Sequence, residues 1–140
     1  MSFLDNLFGK KNKHNPKYAK AHNKRAIAFI AKENFDEAIA ECTQAIKLNP
    51  NYAEAYTNRG LAYAKKNEFD RAIADVAKAI ELNPRQIEAH FNKAMIHEKA
   101  GQPQEAMVEY NNFIKFAAGQ NPMAIERAKA RIKALEQEKS

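Results

Sequence analysis

Apolar residues recur along the chain every three or four positions, in seven blocks separated by polar stretches or by breaks that carry glycine and proline. The pattern predicts helices over residues 16–32, 36–48, 51–66, 70–82, 85–100, 104–117 and 122–138. The blocks themselves repeat. Lys20–Pro50 lies over Glu54–Pro84 without a gap, with AIKLNP falling on AIELNP and NFDEAIA on EFDRAIA. Helices paired by short breaks form hairpins, and like hairpins stacked side by side bury a continuous core that one alone could not. Ala53–Pro84 has a like neighbour on each side, so the surface that the protein offers should centre on it.

Local signals agree. Asn15-Pro16, Asn49-Pro50, Asn83-Pro84 and Asn121-Pro122 punctuate the chain. An Asn at a helix N-cap accepts from a free backbone amide, and Pro in the first turn has no donor to lose. The inner turns hold Asn34-Phe35-Asp36, Glu68-Phe69-Asp70 and Gly101-Gln102-Pro103, where Asp36 and Asp70 are expected to cap the second helix and Phe35 and Phe69 to staple the turn. Ala26, Gly60 and Ala94 fall where the two helices of a hairpin cross, facing Ala38, Ala72 and Ala106, and small residues there let the backbones approach. The last helix carries Ile125, Ala128, Ile132 and Leu135 as one stripe, with Glu126, Arg127, Arg131 and Lys133 away from it, which suits a cap over the end of the stack; Met123 falls off the stripe.

The 34-residue period and its placement of small, aromatic and proline residues resemble the tetratricopeptide repeat. In the second unit Tyr56, Gly60, Tyr63, Ala72, Ala79 and Pro84 stand in register, while Arg59 replaces the usual apolar residue and Val76 an aromatic. The first unit places His22, Ala26, Phe29, Ala38, Cys42, Ala45 and Pro50 there. The third places His90, Ala94, His97, Ala106, Tyr110 and Phe113, but Ala118 stands where Pro belongs and the Asn-Pro pair arrives late, at Asn121. The resemblance implies an all-α fold, a right-handed superhelical stack of three helical hairpins (19–52, 53–86 and 87–120, within 15–120) plus a C-terminal capping helix at 121–140, preceded by an arm at 1–14.

Composition changes this picture little. Ala, Lys, Glu, Asn and Ile dominate over the β-branched and aromatic mixture of sheets. The net charge of +6 looks like that of a nucleic-acid binder, but the stretch 1–25 carries Lys10, Lys11, Lys13, Lys17, Lys20, Lys24 and Arg25 against Asp5, and the remainder is neutral. No nucleic acid is therefore expected. In the arm, Phe3, Leu4, Leu7 and Phe8 share one helical face before Lys10 and Lys11, which reads as a peripheral membrane foot, as a disordered leader, or as a short helix that docks on this or another molecule's repeats. It is too short to span a bilayer, and no export signal is visible. The lone Cys42 rules out an internal disulfide and is compatible with a reducing compartment, so a cytoplasmic location is expected, peripheral to a membrane if the arm binds one.

No catalytic constellation stands out. His22, His90 and His97 occupy repeat positions without metal-ligand spacing, Cys42 sits at a packing position, and no glycine-rich phosphate loop occurs, so neither a cofactor nor a metal is expected, and no enzyme. The register of the resemblance instead points to the concave side of the first helices. There Ile27, Leu61 and Met95 form an apolar stripe flanked by Ile30 and Phe91, with Asn23 among the peptide-binding positions, Asn58 and Asn92 able to bond a ligand backbone, and Lys65 and Lys99 able to meet acidic side chains. Members of this family that serve the heat-shock chaperones clamp a terminal carboxylate with Lys, Asn, Asn, Lys and Arg. Here the corresponding residues are Asn23, Ile27, Asn58, Glu88 and Asn92, of which Asn58 alone matches. The expectation is a non-catalytic adaptor or scaffold that takes a peptide segment or helix in its groove; the alternatives are a scaffold tethered to a membrane by the arm and a self-assembling protein.

Overall fold

The computed structural model describes residues 15–138. Among these are seven helices and no strand: α1 (Pro16–Ala31), α2 (Phe35–Leu48), α3 (Ala53–Lys65), α4 (Phe69–Leu82), α5 (Ile87–Lys99), α6 (Pro103–Phe116) and α7 (Pro122–Glu138). Phe3, Leu4, Leu7, Phe8, Lys10 and Lys11, the residues expected to touch a membrane, lie outside the described residues. The closest packing is within the hairpins α1–α2, α3–α4 and α5–α6; α2 then packs on α3, α4 on α5 and α6 on α7, while α1 touches α3 and α3 touches α5. The fold is the all-α helical-repeat stack that the sequence implies, with the first helices side by side along one face.

The hairpins close because their crossings are small. Ala26, Ala94, Ala38, Ala72 and Ala106 are fully buried. Gly60 is tighter still: a Cβ there would sit 2.8 Å from Val76 Cγ2 and 3.0 Å from the backbone oxygen of Ala72. Each inner turn reverses through one residue of left-handed backbone, Glu33 (φ 61°), Asn67 (φ 62°) and Gly101 (φ 75°), spaced by the repeat length. The next amide then bonds back into the helix, Asn34 N to Phe29 O at 2.8 Å, Glu68 N to Tyr63 O at 2.9 Å and Gln102 N to His97 O at 2.9 Å. Asn67 and Gly101 tolerate this backbone; Glu33 adopts it at a cost of about 1 kcal/mol.

Several local expectations are corrected. α2 and α4 begin at Phe35 and Phe69, which puts Asp36 and Asp70 inside the first turn, where their charge favours the helix N-terminus without capping it. Asp36 instead pairs with Lys66 in the turn of the next hairpin. Of the four Asn-Pro pairs, Asn15 caps α1 by accepting from Lys17 N (3.0 Å) and Asn121 caps α7 by accepting from Ala124 N (3.1 Å). Asn49 and Asn83 end α2 and α4 instead, each folding its side chain onto a following amide, Asn51 N and Arg85 N, both at 3.2 Å.

The late fourth pair has a visible cause. α6 ends at Phe116, the buried Ala117 follows, and the chain turns through Gly119 (φ 81°) before Asn121 starts α7. α7 then lays its stripe on α6: Ala128 and Leu135 are buried, and Ile125 and Ile132 pack against the cluster that contains Tyr110 and Phe113. Met123 is 79% exposed.

Candidate functional site

The expected groove residues prove unequal. Asn23 is buried: its Oδ1 accepts from Asn58 Nδ2 at 2.9 Å, and its Nδ2 donates to the Tyr52 hydroxyl at 3.3 Å. The pair therefore joins α1 to α3, with one donor of each amide committed. Burial raises the Tyr52 phenol above its ordinary value, with Glu54 adding to the effect, so it stays protonated. Asn92, on α5, has no hydrogen-bond partner among the described residues and is half-buried. Ile27 is 49% exposed, Ile30 and Leu61 are half-buried, and Met95 packs against the cluster beneath α7. Lys65 and Lys99 are exposed, without an ion partner among the described residues.

Phe91 serves two purposes. Its ring meets Tyr110 edge-on at 5.4 Å and Phe113 at 5.2 Å, and Arg127 of α7 lies over it at 5.7 Å. Two adjoining cavities, of about 300 and 350 Å3, open on either side of that Phe91–Arg127 contact. One is bounded by Ile87, Phe113 and Asn92, the other by Met95, Tyr110 and Lys99. They form a cleft between α5 and α7 with an apolar floor and a polar rim. Glu98, which lines the second cavity, is taken by the cap: it accepts from Arg131 of α7 and from the Tyr110 hydroxyl at 2.8 Å. Arg131 thereby holds the Glu98 carboxyl below the usual range against the effect of burial.

Sequence reasoning missed a repeated ion pair. Basic residues at Arg25, Arg59 and Lys93 face acids at Glu41, Asp75 and Glu109, each series spaced by one repeat length. Arg59 grips Asp75 with two bonds of 2.8 Å and also donates to Thr43 Oγ1 of α2 at 3.2 Å, while Tyr56 and Tyr63 flank it. Lys93 reaches Glu109 at 2.9 Å, and Arg25 lies 3.5 Å from Glu41. The signal was legible, since Arg59 stands where an apolar residue belongs and Asp75 lies on the facing helix at a matching spacing.

Two of these acids also account for His22 and His90, and a glutamine accounts for His97. His22 Nδ1 lies 2.6 Å from Glu41, His90 Nδ1 lies 3.2 Å from Glu109, and His97 Nδ1 lies 2.7 Å from Gln102 Oε1. Burial alone would raise the Glu109 carboxyl, but the bonds from Lys93 and His90 outweigh it and hold the group below its ordinary range. Among the described residues no group of three or more His, Cys, Asp and Glu is arranged to hold a metal. Burial pushes the Cys42 thiol up to about 12, only partly offset by Arg59, so it packs as a small apolar group with no thiolate at neutral pH. No described helix is long and apolar enough to cross a membrane.

No curated protein matches the sequence. Solved structures do. The TPR2B domain of yeast Sti1, determined as a complex with pHsp70, is 25% identical, with a TM-score of 0.81 over 87% of this chain and 98% of that one. The first TPR of Spaghetti (RPAP3), bound to the HSP90 peptide SRMEEVD, is 21% identical at a TM-score of 0.77, covering 89% and 98%. The Yersinia enterocolitica type III secretion translocator chaperone SycD shares the fold at 13% identity, with a TM-score of 0.84 over 91% and 90%. Family profiles agree with the repeat seen in the fold: one for the TPR repeat matches residues 26–67, and two for the tetratricopeptide repeat match 53–86 and 77–107. With profiles overlapping from the first hairpin into the third, and a pattern of helix, turn and crossing that returns at the same step along the chain, the chain belongs to the tetratricopeptide repeat family.

Proposed function

We propose that the face lined by α1, α3 and α5 binds an extended segment or amphipathic helix of another protein, and that the chain acts as a non-catalytic adaptor or scaffold. The observation that carries this reading is the row of Ile27, Leu61 and Met95, one residue per hairpin, which runs from an exposed side chain on α1 into the open cleft beside Phe91. Unpartnered Asn92, Lys65 and Lys99 flank the row and suit backbone and acidic groups. Relatives of this fold solved with chaperone peptides lend support. The terminal-carboxylate clamp is not what this surface offers, because Asn23 is buried beneath Asn58 and Tyr52, and Glu88 stands exposed where a cation would be needed.

Leu61→Glu puts a charge in the middle of the row and is expected to weaken binding of a partner by about thirtyfold or more, the loss that goes with about 2 kcal/mol at an interface anchor. Val108→Glu, at a 59% exposed site on α6, is the control and should bind as the parent does. The partner is obtained by pull-down from the native cell extract and then titrated against all three proteins, with circular dichroism melts alongside. Equal affinity for parent and Leu61→Glu, with melting intact, would move binding off this face.

A further inference from the structure

The charges around the row and the α5–α7 cleft say what kind of segment fits. By repeat register Lys20, Lys24 and Lys65 fall on the same side of the first helices as Lys99, which lines the cleft with Arg127; all five are exposed, and none has a carboxylate partner among the described residues. The acids on the same side are Glu54, Glu88 and Glu98, and Glu98 is already neutralised by Arg131. Arg127 differs from the other guanidiniums that pack between helices. Arg25, Arg59 and Arg131 each have an acid within 3.5 Å, whereas Arg127 has only the face of Phe91 beneath it. It lies between two cavities of about 300 and 350 Å3, each the size of a large apolar side chain with room to spare.

From this juxtaposition we propose that the cleft between α5 and α7 receives an internal acidic segment of a partner protein, whose carboxylate pairs with Arg127 and Lys99 while a large apolar side chain enters the cavity beside Met95 and Tyr110. The inference rests on the concave-face reading and narrows it. A guanidinium that rests over an aromatic face and bonds no acid keeps its N–H donors free for a carboxylate, and pairing beside apolar side chains is screened less than in open water. The chain's own arm at 1–14 does not suit this place, since Lys10, Lys11 and Lys13 outweigh Asp5. A polyphosphate backbone suits it less than a peptide does, because the exposed Glu88 interrupts the cations along the cleft and apolar side chains line much of both cavities.

The test is selection from a random dodecapeptide library displayed with its carboxyl end fused to the carrier, so that no free terminus is on offer. Enriched peptides should combine Asp or Glu with one or two of Phe, Leu, Ile and Met. Synthesised with both ends blocked, they should bind at least tenfold more tightly than versions with Asn and Gln in place of Asp and Glu. Arg127→Gln should lower affinity for the acidic peptide about tenfold and for its neutral version less than twofold, which a mere loss of packing would not do. Melting of Arg127→Gln should match the parent. Enriched peptides without acidic residues, or equal losses for both versions, would overturn the proposal; if those peptides still failed on Leu61→Glu, the concave-face reading would stand without it. No enrichment at all, or displacement of the peptide by a mixed-sequence oligonucleotide at equal concentration, would overturn it too.

Discussion

Gly60→Leu is expected to destabilise the protein by about 3 kcal/mol or more, a fall in melting temperature of roughly 10 °C for a chain of this size. The reason is local. Even a methyl group at this position would press on Val76 Cγ2 at 2.8 Å and on the Ala72 carbonyl at 3.0 Å, and that carbonyl belongs to the backbone of α4 and cannot rotate away. The sign makes the experiment decisive, because at an exposed helical glycine the same change would stabilise by up to about 1 kcal/mol through helix propensity. Urea denaturation of parent and variant measures the difference, and a variant as stable as the parent would remove Gly60 from the crossing.

Asp75→Ala should cost about 3 kcal/mol, comparable to breaking one side of a buried pair, since it strands a guanidinium whose side chain is only 20% exposed between α2, α3 and α4. Removing both charges should be far milder. In Arg59→Leu/Asp75→Leu the position of Arg59 regains the apolar residue usual for the family, and no desolvated charge remains, so most of the loss should return. Parent, Arg59→Leu, Asp75→Leu and the double variant form the cycle, and Asp75→Ala is measured beside them in the same denaturation series. A double variant as unstable as Asp75→Ala would mean that the damage is steric, not electrostatic.

How much of this was legible depended on whether the answer lay in spacing or in three dimensions. The period, the seven helices and the stripe of α7 follow from where small and apolar residues fall, and those signals survive folding because burial selects them. The role of Asn49 and Asn83 did not follow, because a dipeptide that caps one helix also serves to end another, and the backbone of Asn15 before Pro16 is as extended as that of Asn49 before Pro50. Asn23 and Asn58 occupy adjacent groove positions by register, yet they bond each other, a contact across two hairpins that no local pattern marks. The cleft needed the cap. Arg127 and Arg131 read as solvated positions on α7, and only the packing of that helix brings them over Phe91 and Glu98.

The sizes of the buried side chains grade along the stack. In α1 and α2 the buried apolar residues are Ala19, Ala26, Ala38, Ala45 and Cys42, whereas from α4 onward Val76, Ile96, Tyr110, Phe113 and Leu135 join them. Burial free energy rises with apolar area, and in a stack held by nearest-neighbour contacts each hairpin leans on the next. Local opening should therefore begin at the first hairpin. In native-state amide hydrogen exchange, α1 and α2 are expected to lose protection first and α5 and α6 last. Uniform protection across all three hairpins would show the stack opening as one body. With graded opening, the part of the proposed binding face carried by α1 yields to an arriving segment while the cleft beside α7 holds its shape.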